Sequence, residues 1–336
     1  MLLSNSTMEQ IIDPHEARRL REEGWLAADL HVHSTCSPDV LPSPDFEPET
    51  IYQTCRQRGL HYITITDHDC ADAFDQIGWQ RENLVTGVEV TLNDPIRVGH
   101  TIHVNVYDFE RWHFHELMKI ARFDRNLETF IDFVKDQDLP YTYNHPFWFA
   151  QGESPNYRAV EEIIDLFPVI EYNMKRVRKR NLMALWLANK HNKGVIANTD
   201  THIGEMGATY TLAQGETFRE YFQNIADGNA YIVPQDMNVK NLNEEVVTWI
   251  ETLFGLEEID SKLRLTKVPA VDNMLNFFIQ HSVTDYPKSF PLLKRSLCRF
   301  VRLGIITGTF IGWQYLNSMR IGYQLGIPQL LRVPTK

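Results

Sequence analysis

The chain has 336 residues, of which 43% are hydrophobic, and its formal net charge at pH 7 is −11. Such a chain can bury a large core, as one barrel with an appendage or as two domains, and it fits a soluble enzyme. The acidic balance excludes extended nucleic acid as a general partner, because an acidic surface repels a phosphate backbone. The four cysteines form no CxxC pair and residues 1–10 show no secretory pattern, so we expect reduced thiols and a cytoplasmic location.

Helical and strand patterns alternate along the first 236 residues. Asp13 and Pro14 open a helix that ends at Gly24. The pattern then predicts strand 25–33, helix 48–58, strands 61–66, 84–91 and 101–107, helix 111–136, strand 141–144, helix 157–166, strand 169–172, helix 175–192, strands 194–198 and 209–212, helix 216–227 and strand 230–233. Strands that alternate with helices favour a parallel β/α architecture, and the apolar strand 62–65 is typical of a sheet buried on both faces.

Imidazole and acidic side chains stand near the ends of these apolar runs. His31 and His33 are two residues apart, as are Asp200 and His202, so on an extended strand each pair shares one face. The complete set is His31, His33, Asp39, His68, Glu89, His103, His145, Asp200 and His202. At the ends of barrel strands, where active sites are built, this set predicts a multinuclear site for Zn²⁺, Mn²⁺ or Fe²⁺ rather than Ca²⁺. Hydrolysis is therefore the first hypothesis.

Four segments in this order resemble the motifs of the PHP (polymerase and histidinol phosphatase) superfamily. They are DLHVHS at 29–34, ITDHD at 65–69, NHP at 144–146 and NTDTH at 198–202. Glu89 resembles the metal-bridging glutamate of the family, and His103, four residues before Tyr107, resembles the histidine of its HxxxY strand. The resemblance implies a distorted (β/α)7 TIM-like barrel over residues 25–236, after an N-terminal helix (1–24) and before a helical C-terminal extension (237–336) of unknown role.

The resemblance also implies two or three divalent metal ions. The first would be bound by His31, His33, Glu89 and Asp200, the second by Glu89, His103 and His145, and the third by Asp39, His68 and His202. Two alternatives stay open from the sequence: His100 as the ligand in place of His103, and a simple turn role for Asp39.

With such ions bound, we expect a metal-bridged hydroxide to attack phosphorus in line, while the metals stabilise the phosphoryl oxygens. Asp67 and Asp69 would orient ligands or shuttle protons. Arg176 is the first candidate to hold the substrate phosphate. It belongs to a basic run with Lys175, Arg178, Lys179 and Arg180, of which we expect only one or two residues to reach the site, since such runs are usually solvated helix faces.

We therefore predict a phosphoesterase that acts on a small phosphomonoester or nucleotide. The alternatives are an amidohydrolase on the same ions and a non-hydrolytic PHP module that serves as a binding domain.

Too few residues separate His103 from His145 to form the capping subdomain of some family members. Phe147, Trp148 and Phe149, or Trp112, are candidates to wall the pocket instead, although core packing is the more frequent role of such residues.

The C-terminal extension matches no motif of the family. Residues 303–319 contain no charge and carry Gly304, Gly308 and Gly312, a spacing that lets helices approach closely. A buried or helix-docking role is the favoured interpretation, and membrane contact and a dimer contact are the alternatives. Residues 286–336 contain eight basic residues and no acid, so this segment could face the acidic body or an anionic partner.

Overall fold

The structure is a computed structural model that describes residues 9–150, 152–255, 295, 298–300, 302–304 and 307–327. Within these residues the fold is mixed α/β, with two sheets and helices packed around them. The strands are β1 Leu26–Asp29, β2 Tyr62–Ile63, β3 Gly87–Asn93, β4 Thr101–Tyr107, β5 Tyr141–Tyr143, β6 Val169–Asn173, β7 Gly194–Asn198, β8 Tyr210–Ala213 and β9 Ala230–Val233.

The helices are interspersed with the strands, and all but one lie in regions where the sequence patterns predict helices. They are α1 Pro14–Glu22, α2 Pro48–Gln57, α3 Asp72–Ile77, α4 Arg111–Lys119, α5 Leu127–Asp136, α6 Tyr157–Glu162, α7 Arg178–Lys190, α8 Phe218–Ala226, α9 Val239–Gly255 and α10 Thr309–Gln324. The side chain of Asp13 caps α1 by accepting from the backbone N–H groups of His15 and Glu16. The short helix α3 has no counterpart among the predicted elements.

The sheets are only partly parallel, which corrects the expected parallel β/α architecture. One sheet has the order β2-β1-β8-β9 and the other β3-β4-β5-β6-β7. β5, β6 and β7 are parallel, but β4 runs antiparallel to both β3 and β5. The reason is the connection between β3 and β4, residues 94–100, which is too short for the crossover that a parallel pair requires.

Single parallel bridges join the two sheets where their strands continue past the regular pairing. His68, beyond β2, pairs with Glu89 on β3, and Val32, beyond β1, pairs with Thr201, beyond β7. All four positions lie in or beside the motifs of the sequence. The junctions of the sheets therefore bring the chemistry-bearing segments together.

The predicted helix 111–136 is in fact two helices. After α4 the chain makes a π turn at Ile120–Asp124, and Arg125 adopts a left-handed backbone with φ 48°. The side chain of Asn126 then caps α5 by accepting from the backbone N–H of Thr129. Asparagine favours such a cap over a position inside a helix, since its amide competes for backbone hydrogen bonds. This local chemistry outweighs the continuous apolar pattern.

Among the described residues, the glycine pattern of the extension forms no helix contact. Gly308 has a left-handed backbone, φ 69°, and stands at the N-cap of α10, so a single helix does not run through Gly304, Gly308 and Gly312. A side chain at any of the three would meet no described atom within 4 Å. α10 instead packs on α7 through a face with Gln314, Ser318 and Ile321. Among the described residues, no helix is long and apolar enough to cross a membrane.

Candidate metal centre

The continuations of β1 and β7 run side by side and carry two of the predicted pairs. The backbone N–H of Asp200 donates to the carbonyl of His31 at 2.9 Å, and that of His33 donates to the carbonyl of Thr201 at 3.0 Å. This pairing directs the side chains of His31, His33, Asp200 and His202 to one face. Asp200 adopts φ 52°, a conformation that costs a non-glycine residue about 1–3 kcal/mol and that is concentrated at functional sites.

Glu89 lies at the centre of the cluster and is completely buried. Its Oε2 lies 3.1 Å from His31 Nε2, 3.3 Å from His33 Nε2 and 3.2 Å from His68 Nδ1. Its Oε1 lies 3.1 Å from His103 Nδ1 and 3.1 Å from His145 Nε2. The two oxygens therefore face different sets of imidazoles, which is the geometry that a bridging carboxylate requires.

Asp39 closes the cluster on its more exposed side. Its Oδ2 lies 3.1 Å from His202 Nε2 and 3.3 Å from His68 Nε2, while Oδ1 accepts from the Ser37 hydroxyl at 2.9 Å. The residue is thus part of a turn and also contacts two candidate ligands.

The spacing of the donor atoms fits bound ions. Three groups of donors lie close enough to share an ion: His31, His33, Glu89 and Asp200; His68, Glu89 and His103; and His33, Asp39, His68 and His202. Bonds of about 2.0–2.2 Å place neighbouring donors roughly 3.0–3.5 Å apart in octahedral or tetrahedral coordination. The separations given above lie within or close to that range. Glu89 Oε2 is buried and accepts no hydrogen bond from a described residue, as expected of an atom that binds a cation.

The carboxylates of the centre are held in the charged form that a metal ligand needs. Burial alone would raise the pKa of Glu89, but His31, His103 and His68 hold it well below its ordinary value. The pKa of Asp200 is also well below its ordinary value. Burial would raise it, but the nearby His31 and a hydrogen bond with His33 lower it by more. Both side chains are therefore ready to bind a cation at neutral pH.

His103 rather than His100 faces the centre, because of the register between β3 and β4. Thr91 pairs with His103, so His103 lies diagonally across from Glu89 on the same face of the sheet. His100 precedes β4 and packs its ring against Phe149, with ring centroids 4.9 Å apart. His100 and His145 both lie outside the three donor groups, but His145 Nε2 lies 3.1 Å from Glu89 Oε1.

Glu171 is the main residue of the centre that the sequence predictions missed. Its Oε1 accepts from His31 Nδ1 at 2.6 Å and from the Asn198 amide at 3.0 Å. Its Oε2 accepts from the backbone N–H of His145 and from the Asn173 amide, both at 2.9 Å. The available signal was a glutamate and an asparagine, two residues apart, inside the otherwise apolar strand 169–173.

Asp67 and Asp69 lie behind the ligands and do not line the cavity of the centre. Asp67 is buried and accepts from both the backbone N–H and the hydroxyl of Ser34, at 2.6 Å each. Asp69 accepts from the backbone N–H of Thr91 at 2.8 Å. These contacts hold the segments next to His33 and Glu89 in place. They fit the orienting part of the predicted role, whereas the position off the cavity does not support the proton shuttle.

The centre opens into a cavity of about 280 Å³. Arg176 and Lys175 line it, whereas Arg178, Lys179 and Arg180 do not, in line with the expectation that one or two of the five basic residues reach the site. Arg176 Nη2 lies 3.9 Å from Asp200 Oδ2. Of the four candidate aromatic residues, only Trp148 lines the cavity, with its ring 4.6 Å from that of His103.

One wall of the cavity comes from the C-terminal extension, which the sequence patterns did not connect with the site. Glu245, on α9, lines the cavity and pairs with Lys175, with Oε1 2.5 Å from Nζ. Lys175 Nζ also donates to the carbonyl of Ile203 at 3.3 Å. The beginning of the extension is therefore part of the site.

No protein-family model and no curated protein matches the sequence significantly. Similar solved structures include PsfC from Pseudomonas syringae, with 13% identity over 76% of this chain and 98% of that chain, at a TM-score of 0.43. A lesion-specific endonuclease from Pyrococcus furiosus shows 16% identity over 62% of this chain and 57% of that chain, at a TM-score of 0.45. An amidohydrolase from Chromobacterium violaceum shows 14% identity over 60% and 96%, at a TM-score of 0.38.

The resemblance to the PHP superfamily extends from the sequence motifs to three-dimensional contacts. All nine predicted ligands contact at least one other member of the set, and Glu89 belongs to two of the three donor groups. The group around His103 contains His68 in place of the His145 that the resemblance implies. The arrangement is that of a candidate centre for divalent metal ions.

Proposed function

We propose that the protein is a PHP-type metal-dependent phosphoesterase that hydrolyses a small phosphomonoester. In this proposal β1 to β7 form one distorted (β/α)7 ring. The pairing runs from β1 to β2, through the bridge His68–Glu89 to β3, on to β7, and through the bridge Val32–Thr201 back to β1. The candidate ligands stand at or next to both bridges, which supports a site at the mouth of the ring.

The proposed ligands are the nine residues of the predicted set, and the ions are two or three of Mn²⁺, Zn²⁺ or Fe²⁺. When bound, such ions supply Lewis acidity and bring the ionisation of water near neutral pH. Glu171 fixes the ring of His31 so that Nε2 faces Glu89, where it would hold an ion, and Asn173 holds Asp200 by donating to Oδ2 at 3.0 Å. Asn144 steadies Glu89 by donating to Oε1 at 2.9 Å.

The position of Arg176 is the observation that carries the proposal of a phosphate ester. Burial lowers the pKa of Arg176, yet a guanidinium stays charged in proteins. Its Nε is buried and has no hydrogen-bond partner among the described residues. A partly buried cation beside Asp200 at the cavity wall can bind a phosphoryl oxygen and stabilise the charge that develops there. A phosphate ester is already an anion before it reacts, whereas an amide substrate is neutral in its ground state.

The size of the cavity favours a small substrate. At about 280 Å³ it lies just below the usual range of roughly 300–1,000 Å³ for ligand pockets. A cavity of this size, lined by Trp148 and Glu245, has room for a phosphate group with a short organic part.

The test is a phosphatase screen on metal-loaded wild type, Arg176→Ala and the matched control Arg178→Ala, whose side chain is exposed and does not line the cavity. Loss of one stabilising donor predicts a decrease of about 10²- to 10³-fold in kcat for Arg176→Ala at unchanged metal content. Arg178→Ala should stay close to wild type. Full metal loading of the wild type with no phosphate released from any ester would overturn the proposal, and release of carboxylate from amides under the same conditions would replace it with the amidohydrolase alternative.

A further inference from the structure

α10 presents its apolar side to solvent. Trp313, Leu316 and Tyr323 are 60%, 68% and 78% exposed, and Phe310 is 48% exposed. At 100° per residue these four side chains, together with the exposed Arg320, fall on one side of the helix. We call this set the aromatic face.

The opposite side of α10 is the one that packs on the protein, and it is largely polar or small. Gln314, Ser318, Ile321 and Gly322 are buried there, and only Ile321 is a large apolar residue. A surface helix of a globular protein normally buries its apolar stripe and exposes its polar side. α10 does the reverse, so its exposed side requires an apolar partner.

The charge around the aromatic face identifies the kind of partner. Arg299 and Arg302 are exposed just before α10, beside the exposed Phe300 and Leu303. The sequence from 286 to 336 holds eight basic residues and no acid. Trp, Tyr and Phe are the residues that favour the boundary between lipid headgroups and acyl chains, and arginines next to them attract anionic lipid.

We propose that the aromatic face binds the surface of an anionic phospholipid bilayer, with α10 parallel to it. One side of α10 is held against α7, so the helix can insert its exposed side without leaving the protein. A second copy of the chain fits less well. In a two-fold contact the basic residues would face one another, and no acid of this segment could offset them.

The experiment is co-sedimentation of the full chain with vesicles of phosphatidylcholine alone and of phosphatidylcholine mixed with phosphatidylglycerol. We expect binding to the mixed vesicles that weakens at high salt, and much weaker binding to phosphatidylcholine. Trp313→Ser should weaken binding at least about tenfold, because it removes an aromatic side chain that would be buried in the bilayer. Arg320→Gln should weaken it about fivefold, the effect of one basic residue at an anionic surface. Trp112→Ala, at an exposed tryptophan of α4, is the matched control and should bind as wild type does.

Three results would overturn the inference. They are absence of binding to the mixed vesicles, equal binding by Trp313→Ser and wild type, and a dimer in solution that Trp313→Ser converts to monomer. Circular dichroism of each variant separates loss of binding from loss of folding. Phosphatase activity is measured in parallel, because failure of the lipid experiment leaves the proposed reaction untouched.

Discussion

His31 Nδ1 donates to Glu171 Oε1 across 2.6 Å, and both side chains are completely buried. The contact places the ring proton of His31 on Nδ1, and it leaves the lone pair of Nε2 facing Glu89 and Asp200 and available to a metal ion. Glu171 itself is held by the amides of Asn173 and Asn198. A buried carboxylate held by amides and pointed at an imidazole is the arrangement that orients metal-ligating histidines in proteins.

Glu171→Gln tests this role at nearly constant volume. The amide is a weaker acceptor, so we expect metal affinity to fall about 10- to 100-fold while the fold is kept. Competition of the loaded protein with a chelator measures the affinity. Glu162→Gln, an exposed residue of α6, is the control. Equal chelator resistance in Glu171→Gln and wild type would show that Glu171 is not a positioning residue.

We predict that breaking the ion pair between Glu245 and Lys175 changes the affinity for the substrate. Their ion pair neutralises one of the two cations of the cavity. Glu245→Gln should free Lys175 for the substrate and lower KM for a phosphate ester a few-fold, while Lys175→Ala should raise it. Glu244→Gln, an exposed neighbour on α9, should change neither. Steady-state kinetics checks the three variants, and an increase of KM in Glu245→Gln would mean that the pair builds the pocket instead of blocking it.

We predict that Glu49, an exposed residue of α2, makes the stability of the fold depend on pH. Hydrogen bonds from Arg81, and then from Gln53, lower the pKa of Glu49 from 4.5 to about 2. Because the folded pKa is depressed, the stabilisation is complete above the unfolded pKa and is lost as the pH falls through about 2. Glu49→Gln should therefore be less stable than wild type at pH 7, by no more than about 1 kcal/mol because the pair is exposed.

Urea unfolding between pH 7 and pH 2 measures this difference. It should shrink in that direction and should also shrink at high salt. A difference that stays constant across the range would assign the effect of Glu49→Gln to packing instead of charge.

We predict that the fold does not tolerate a side chain at Gly194, the first residue of β7. A Cβ at this position on β7 would overlap the backbone carbonyl oxygen of Ile225 at the end of α8. Gly194→Ala should therefore lower the free energy of unfolding by about 1–3 kcal/mol, since the backbone must shift. Gly312→Ala is the control, because no described atom lies within 4 Å of its Cβ and alanine favours a helix. Similar unfolding curves for Gly194→Ala and wild type would show that α8 moves aside freely.

The sequence was informative where residue type and spacing define the chemistry directly. His31 and His33 share a face because strand side chains alternate, and Asp200 and His202 do so for the same reason. The structure brings these residues into contact at the junctions of the sheets. Most helices could be placed too, because apolar periodicity and caps such as Asp13 act locally.

Features that depend on long-range pairing could not be predicted. The antiparallel course of β4 depends on its partners, and the contact of Glu245 with Lys175 joins residues 70 positions apart. Glu171 was hidden because its strand is otherwise apolar and no motif marks it. The spacing of the glycines in the extension suggested a helix contact, because spacing alone does not reveal the left-handed backbone of Gly308.

We propose that Glu89 would bridge two metal ions, because its two carboxylate oxygens face different imidazoles. The most direct measurement is anomalous X-ray scattering from crystals of the protein grown with Mn²⁺ or Zn²⁺, with Glu89→Gln crystals as the comparison. Our account predicts at least two peaks about 3.5–4 Å apart, one near each carboxylate oxygen of Glu89, and loss of at least one peak in the variant. Wild-type crystals with no peak within bonding distance of Glu89 would contradict it.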